Sequence, residues 1–339
     1  MKNNLLPFRR PAIVSFVALI LSCAGCQGQN GNTLSQAEPV HIHRFDKALL
    51  RLIESGNDVT IQGELLCDYP EMIDIAGKAI LNMQTPEMPG FFDRLVNYYS
   101  EPTLLGLYRD AVARYDSIAD IEQQLGNAFA WLKACFPTLA VPQIYMHVSG
   151  LNQNVLAADN LLSLSIDKYM GASYPLYQNF FRDDQRQKMQ HSRIAPDYLT
   201  GWLLSEYPFT GKEAVLLEQM VYEGKIRYLL FEALPGLAPH TGMGWTEKAH
   251  AWCVKNEASI WKTIVERKHL YTPDLITTRK YIEDTPATFL SDEAPGNIGV
   301  WIGLQIVRRY MEETGATPAM LIKETNAQTI LAQSKYKPF

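Results

Sequence analysis

Only one stretch of this chain alternates as a strand should, and the long stretches around it repeat at helical spacing. PQIYMHVSG (142–150) is a strand candidate. VLAADNLLSLSIDKYMG (155–171) follows it, with Asp159-Asn160 as a hairpin turn. A sheet confined to one such stretch leaves helices to build most of the core. The expected fold is therefore mostly α with a small β hairpin or sheet, in a single globular domain over residues 40–339.

VHIHRFDKALLRLI (40–53) reads as a short strand or turn entering a helix, with Phe45, Leu49, Leu50 and Ile53 on one face. Residues 60–85 continue as helix. EPTLLGLYRDAVARYDSIADIEQQLGNAFAWLKACFP supplies two more amphipathic helices, stopped near Pro137. Beyond the hairpin, helices are expected at 194–206, 212–233, 246–269, 275–284 and 297–314. The last follows a Pro295-Gly296-Asn297 turn that provides its N-cap. There is no internal repeat.

The first residues do not read as part of the fold. MKNNLLPFRR is a positive n-region and PAIVSFVALILS a short apolar h-region, below the ~20 apolar residues that a membrane span needs. It runs into SCAGC, so residues 1–22 resemble a lipoprotein signal peptide with a lipidated cysteine after it. Cys23 has an aliphatic residue three places upstream and a small one just before. Cys26, the alternative, has only the second. Acyl chains such as palmitate would hold the protein at a membrane surface without spanning it. QGQNGNTLSQAEP (27–39) is Gln/Asn/Gly/Ser-rich, so residues 23–39 form a flexible tether. Of the other cysteines, Cys67, Cys135 and Cys253 read as buried thiols, with one disulfide as the alternative.

The chain's 47% hydrophobic content allows a sizeable core, and its formal net charge of −5 without a basic run excludes nucleic acid as a partner. The seven histidines contain no HExxH; His41-x-His43 and the pair His240 and His250 are the only groupings. No G-x-S-x-G elbow, Walker loop or G-x-G-x-x-G follows a strand. The sequence thus names no metal and no cofactor.

One helix raises a question. LLEQMVYEGKIRYLLFEALP (216–235) is apolar at helical spacing, yet carries Glu223, Gly224, Lys225 and Arg227 in its middle. Glu223 and Arg227 are i, i+4 partners. Gly224 costs about 1 kcal/mol in a helix and implies that a backbone or ligand comes close. These residues form either a solvated ladder over a helix–helix contact or a site.

RFDKALL (44–50), LSLSIDKYMG (162–171), MVYEGKIRYLL (220–230), KNEASIW (255–261) and EAPGNIGVWIGLQIVRRYM (293–311), with the leader before them, resemble the gliding motility-associated lipoprotein family, GldB. The resemblance implies an envelope lipoprotein of Bacteroidota-type bacteria, associated with a gliding apparatus that is linked to protein secretion. Members also occur in bacteria that do not glide. That family resembles in turn zinc peptidases of the gluzincin kind, which implies a zincin-like fold. On that resemblance MVYEGK matches the helix that gives a third zinc ligand, at Glu223. IAPDYLTGWLLSEYP stands where HExxH is expected and lacks it, and His191 upstream has no partner one turn on. The implied product is a non-catalytic scaffold anchored in the inner or outer membrane, with other envelope proteins as partners. Its groove would have Asp167, Glu223, Lys225 and Arg227 near the floor. A degenerate hydrolase and a peptide- or glycan-binding lipoprotein are the alternatives.

Overall fold

The computed structural model describes residues 37–339 apart from Met83, Gln153, Asp159 and Phe339. Cys23, Cys26, the signal peptide and most of the tether lie outside the described residues, as does Asp159 of the expected hairpin turn. The described residues belong to one compact unit.

β1 (Ile42–His43) leads into α1 (Phe45–Glu54), and five helices follow before the sheet is completed. They are α2 (Val59–Asp68), α3 (Pro70–Ile80), α4 (Phe91–Tyr99), α5 (Pro102–Arg114) and α6 (Ala119–Cys135). The sheet resumes with β2 (Gln143–His147), β3 (Val155–Ala158) and β4 (Leu161–Ser165). The second half is helical: α7 (Asp183–Arg186), α8 (Ile194–Glu206), α9 (Leu216–Ala233), α10 (Pro239–Met243) and α11 (Glu247–Glu266). α12 (Leu275–Ile282), α13 (Ile298–Thr314), α14 (Pro318–Lys323) and α15 (Ala327–Ser334) complete it. Among the described residues no helix is long and apolar enough to cross a membrane.

The sheet order is β1-β2-β4-β3, with β1 and β4 parallel to β2, and β3 antiparallel to β4. β3 and β4 form the expected hairpin, in the register Ala158↔Leu161, with Asn160 left-handed at φ 57°. The sheet is larger than a hairpin because β2 and the two-residue β1 join it in parallel.

The single helix expected over 60–85 is two. Asp58 caps α2 by accepting from the amides of Thr60 and Ile61 at 2.8 and 3.2 Å, and Tyr69 leaves helical geometry at φ −135° ahead of Pro70. The last residues assigned to the tether are seated on α6. The Ala37 amide donates to Asn127 Oδ1 at 3.1 Å, Gln123 Nε2 donates to the Ala37 carbonyl at 2.8 Å, and Gly126 lies against the Glu38 carbonyl. Cys253 is buried and Cys135 partly so, but Cys67 is exposed on α2, contrary to the reading of it as buried.

Two hydrophobic cores meet along α9. Leu216, Leu217, Met220 and Val221 pack with α11, α12 and α13, while Ile226, Leu229, Leu230 and Ala233 pack with the sheet, α1–α6 and α8. The charged middle of α9 therefore lies at the seam. Gly224 is there because α13 crosses backbone to backbone. A Cβ on Gly224 would stand 2.4 Å from the Gly303 carbonyl carbon, and one on Gly303 would stand 1.7 Å from the Met220 carbonyl oxygen.

Candidate functional site

The hairpin, the chain from Lys168 to Arg193, and the first turns of α8 enclose a cleft of about 340 Å³, closed on one side by Asp284. Arg193 and Asp197 stand one turn apart and form an ion pair that is mostly shielded from solvent. The pair is held at both ends: Tyr169 donates its hydroxyl to Asp197 Oδ2 at 2.7 Å, and Arg193 also donates to the Thr241 carbonyl. Lys188 reaches across to Asp284. Lys168 forms no ion pair among the described residues, though Asp167 acts on its charge. Its Nζ donates to the Leu151 carbonyl at 3.2 Å and lies 4.4 Å from the Phe181 ring centre, and burial lowers its pKa.

The floor rests on α9. Arg227 donates from Nη1 to the Thr200 hydroxyl at 3.2 Å, and its buried Nε has no hydrogen-bond partner among the described residues. Burial pushes the Arg227 pKa down while Glu223 opposes the shift. Burial likewise raises the Glu223 pKa against the pull of Arg227. α8 comes close to the hairpin at Gly201, where a Cβ would stand 2.9 Å from Val155 Cγ1.

β3 is the edge of the sheet beside this cleft, and Asn154 and Val155 line it. The Ser165 amide donates to the Asn154 carbonyl at 2.8 Å. By antiparallel alternation, Val155 and Ala157 then turn their amides and carbonyls away from β4. Ala157 and Ala158 are exposed, and no main-chain bond covers this outer edge among the described residues. A second hollow, of about 130 Å³, continues along the same edge past Ala157, Ala158 and Trp202.

The four residues expected to share a groove are not together. Arg227, with Glu223 beside it, underlies the cleft. Asp167 is fully buried behind β4, where it accepts from the amides of Leu151 at 2.6 Å and Ser149 at 3.2 Å and from the Ser165 hydroxyl. It fixes the turn after β2. Burial raises its pKa against these hydrogen bonds. Lys225 faces another cleft, of about 610 Å³, among Tyr207, Phe209 and Tyr222, and donates to the Glu324 carbonyl. Burial lowers its pKa to about 8. Lys168, Lys188, Arg193, Asp197 and Asp284 were not singled out from sequence. Of these, only the i, i+4 spacing of Arg193 and Asp197 gave a signal.

The residues at the place implied for zinc do not fit the ion. α8 carries no histidine, and Glu223 is set beside a guanidinium. His191 lies elsewhere, with Nε2 2.6 Å from Asp120 Oδ2. His43 stacks on Tyr145 at 4.8 Å and meets His41 edge-on at 4.7 Å. His240 and His250 are near enough for their charges to interact, and His250 meets the Trp301 ring at 5.2 Å. Among the described residues no group of three or more His, Cys, Asp or Glu is placed to hold a metal ion.

The family model described as Gliding motility protein GldB matches residues 27–338. The chain belongs to the GldB family. As a GldB-family member it is a lipoprotein associated with gliding motility and is located in the cell envelope. Comparison with curated proteins and with solved structures gives no significant match.

Proposed function

We propose that this GldB-family chain is a non-catalytic assembly component, held at a membrane by lipid on Cys23 or Cys26, that grips an extended segment of another envelope protein. The carrying observation is the uncovered edge of β3 running beside the charged cleft. An extended segment laid along β3 would take main-chain hydrogen bonds from Val155 and Ala157. Its side chains would enter the cleft, where Lys168 and the Arg193–Asp197 pair supply charge for selecting among them. Asp197, Arg193 and Lys168 are already held by Tyr169 and by the Thr241 and Leu151 carbonyls, as a gripping site needs.

The test is Ala157→Pro. Proline at this edge position removes an outward amide and leaves the bonds to β4 in place. The variant is expected to reach membranes in normal amount and to lose the envelope protein that copurifies with the wild type after gentle solubilisation. Unchanged copurification defeats the reading. Stoichiometric zinc and peptide turnover, both lost in Glu223→Ala, would favour a hydrolase instead.

A further inference from the structure

We infer that the corner between α11 and α12 is a second membrane contact, which sets apolar side chains into a lipid surface and holds anionic headgroups with lysine and arginine. Eleven large apolar residues are exposed among the described residues, and four of them fall within the twelve positions from Val265 to Ile276. Val265 is 47% exposed, Tyr271 54%, Leu275 37% and Ile276 71%. The others are scattered over the rest of the chain, as is ordinary for a protein surface. Two features end one helix and start the next at this corner. Lys268 closes α11 in the left-handed region at φ 57°, and Asp274 caps α12 through the Ile276 amide at 3.0 Å.

The charge around these residues is opposite to that of the chain. Residues 262–280 hold Lys262, Arg267, Lys268, Arg279 and Lys280 against Glu266 and Asp274, in a protein of formal charge −5. Lys262 and Glu266 stand 3.7 Å apart, as do Arg279 and Glu283, all four well exposed. Such pairs hold weakly. Arg267, Lys268 and Lys280 form no ion pair among the described residues. Arg279 and Lys280 also edge a hollow of about 470 Å³ walled by Ile276, Pro286 and Phe289 and shared with Glu283. Aliphatic tips and a tyrosine, with Arg267, Lys268 and Lys280 close to them in the chain, match the boundary between acyl chains and anionic headgroups. An apolar protein partner would have no use for the cations.

The proximity of a bilayer rests on the proposed lipid anchor. Residues 23–36 would span at most about 50 Å when extended, so the domain stays close to the surface. A lipid at the N-terminus alone leaves the domain free to turn; this corner would set its orientation.

The whole lipoprotein, extracted from membranes, would be reconstituted with vesicles of phosphatidylcholine alone or mixed with phosphatidylglycerol, and amide exchange followed. Amides of residues 267–282 are expected to exchange on the order of fivefold more slowly on the phosphatidylglycerol vesicles. Lys280→Glu, alone or with Ile276→Asp, should abolish that difference at an unchanged melting temperature. Three results would overturn the inference: equal exchange on both vesicles, protection that survives the substitutions, or equal protection by glycerol phosphate without vesicles. The last would mean a soluble phosphate site. Flotation with the phosphatidylcholine vesicles tests the anchor separately, because the corner is judged only from the lipid-dependent difference.

Discussion

Gly303 and Gly224 show how much one hydrogen atom in place of a methyl can decide. Replacing Gly303 by Ala drives a methyl into the Met220 carbonyl, and two backbones must part to admit it. Gly303→Ala is expected to cost about 3 kcal/mol in denaturant unfolding. Gly106→Ala, at an exposed position of α5 with nothing within 4 Å, should instead gain up to about 1 kcal/mol. Equal effects of the two would refute the backbone contact. Gly224 announced this contact from sequence alone, because a glycine inside an apolar helix needs a reason. The charges around it were harder to read. Lys225 and Arg227 are two positions apart and so point into different clefts, which no i, i+4 count reveals. Lys225 also sets a pH dependence. Burial takes its pKa from an ordinary 10.5 to about 8. Between those values the unfolded chain holds a proton that the folded one has released. Stability contributed by this group is therefore complete above about pH 10.5 and lost as pH falls towards 8, by up to roughly 3 kcal/mol. The difference between wild-type and Lys225→Met unfolding curves, taken across pH 7 to 11, should show that rise; a flat difference would rule it out.

At the scale of elements, the long helices were legible because their apolar residues repeat over several turns. α8 and α13 lie where the spacing puts them, and α9 begins only four residues late, at Leu216 after the 211–215 turn. α4, α7, α10, α14 and α15 were not expected. Apart from α4, each is eight residues or fewer, too short for a period to show. β1, two residues long, stands where a short strand or turn was expected, but its parallel partner β2 is a tertiary fact absent from local sequence. The cleft was invisible for the same reason. Its walls come from the hairpin, the irregular chain before α8, α8 itself and the loop after α12, which only folding brings together. Glu223 and Arg227 were singled out from sequence, but the cations that line the cleft were not.

For the whole molecule, α9 joins two cores that would otherwise be separate. Its first half belongs to one and its second half to the other, so neither can be lost without exposing part of the other's packing. Calorimetry of the wild type is expected to show one transition with equal van't Hoff and calorimetric enthalpies; two resolved peaks would mean that the cores melt separately. The seating of residues 37–39 on α6 bears on any force that reaches the domain through its N-terminal segment. Tension arriving along the N-terminal segment would be received first by the Ala37–Asn127 and Val40–Glu122 bonds and then by the parallel pairing of β1 with β2. A load running along β1 would be shared among those bonds rather than open them one by one, and β3 lies at the opposite edge of the sheet.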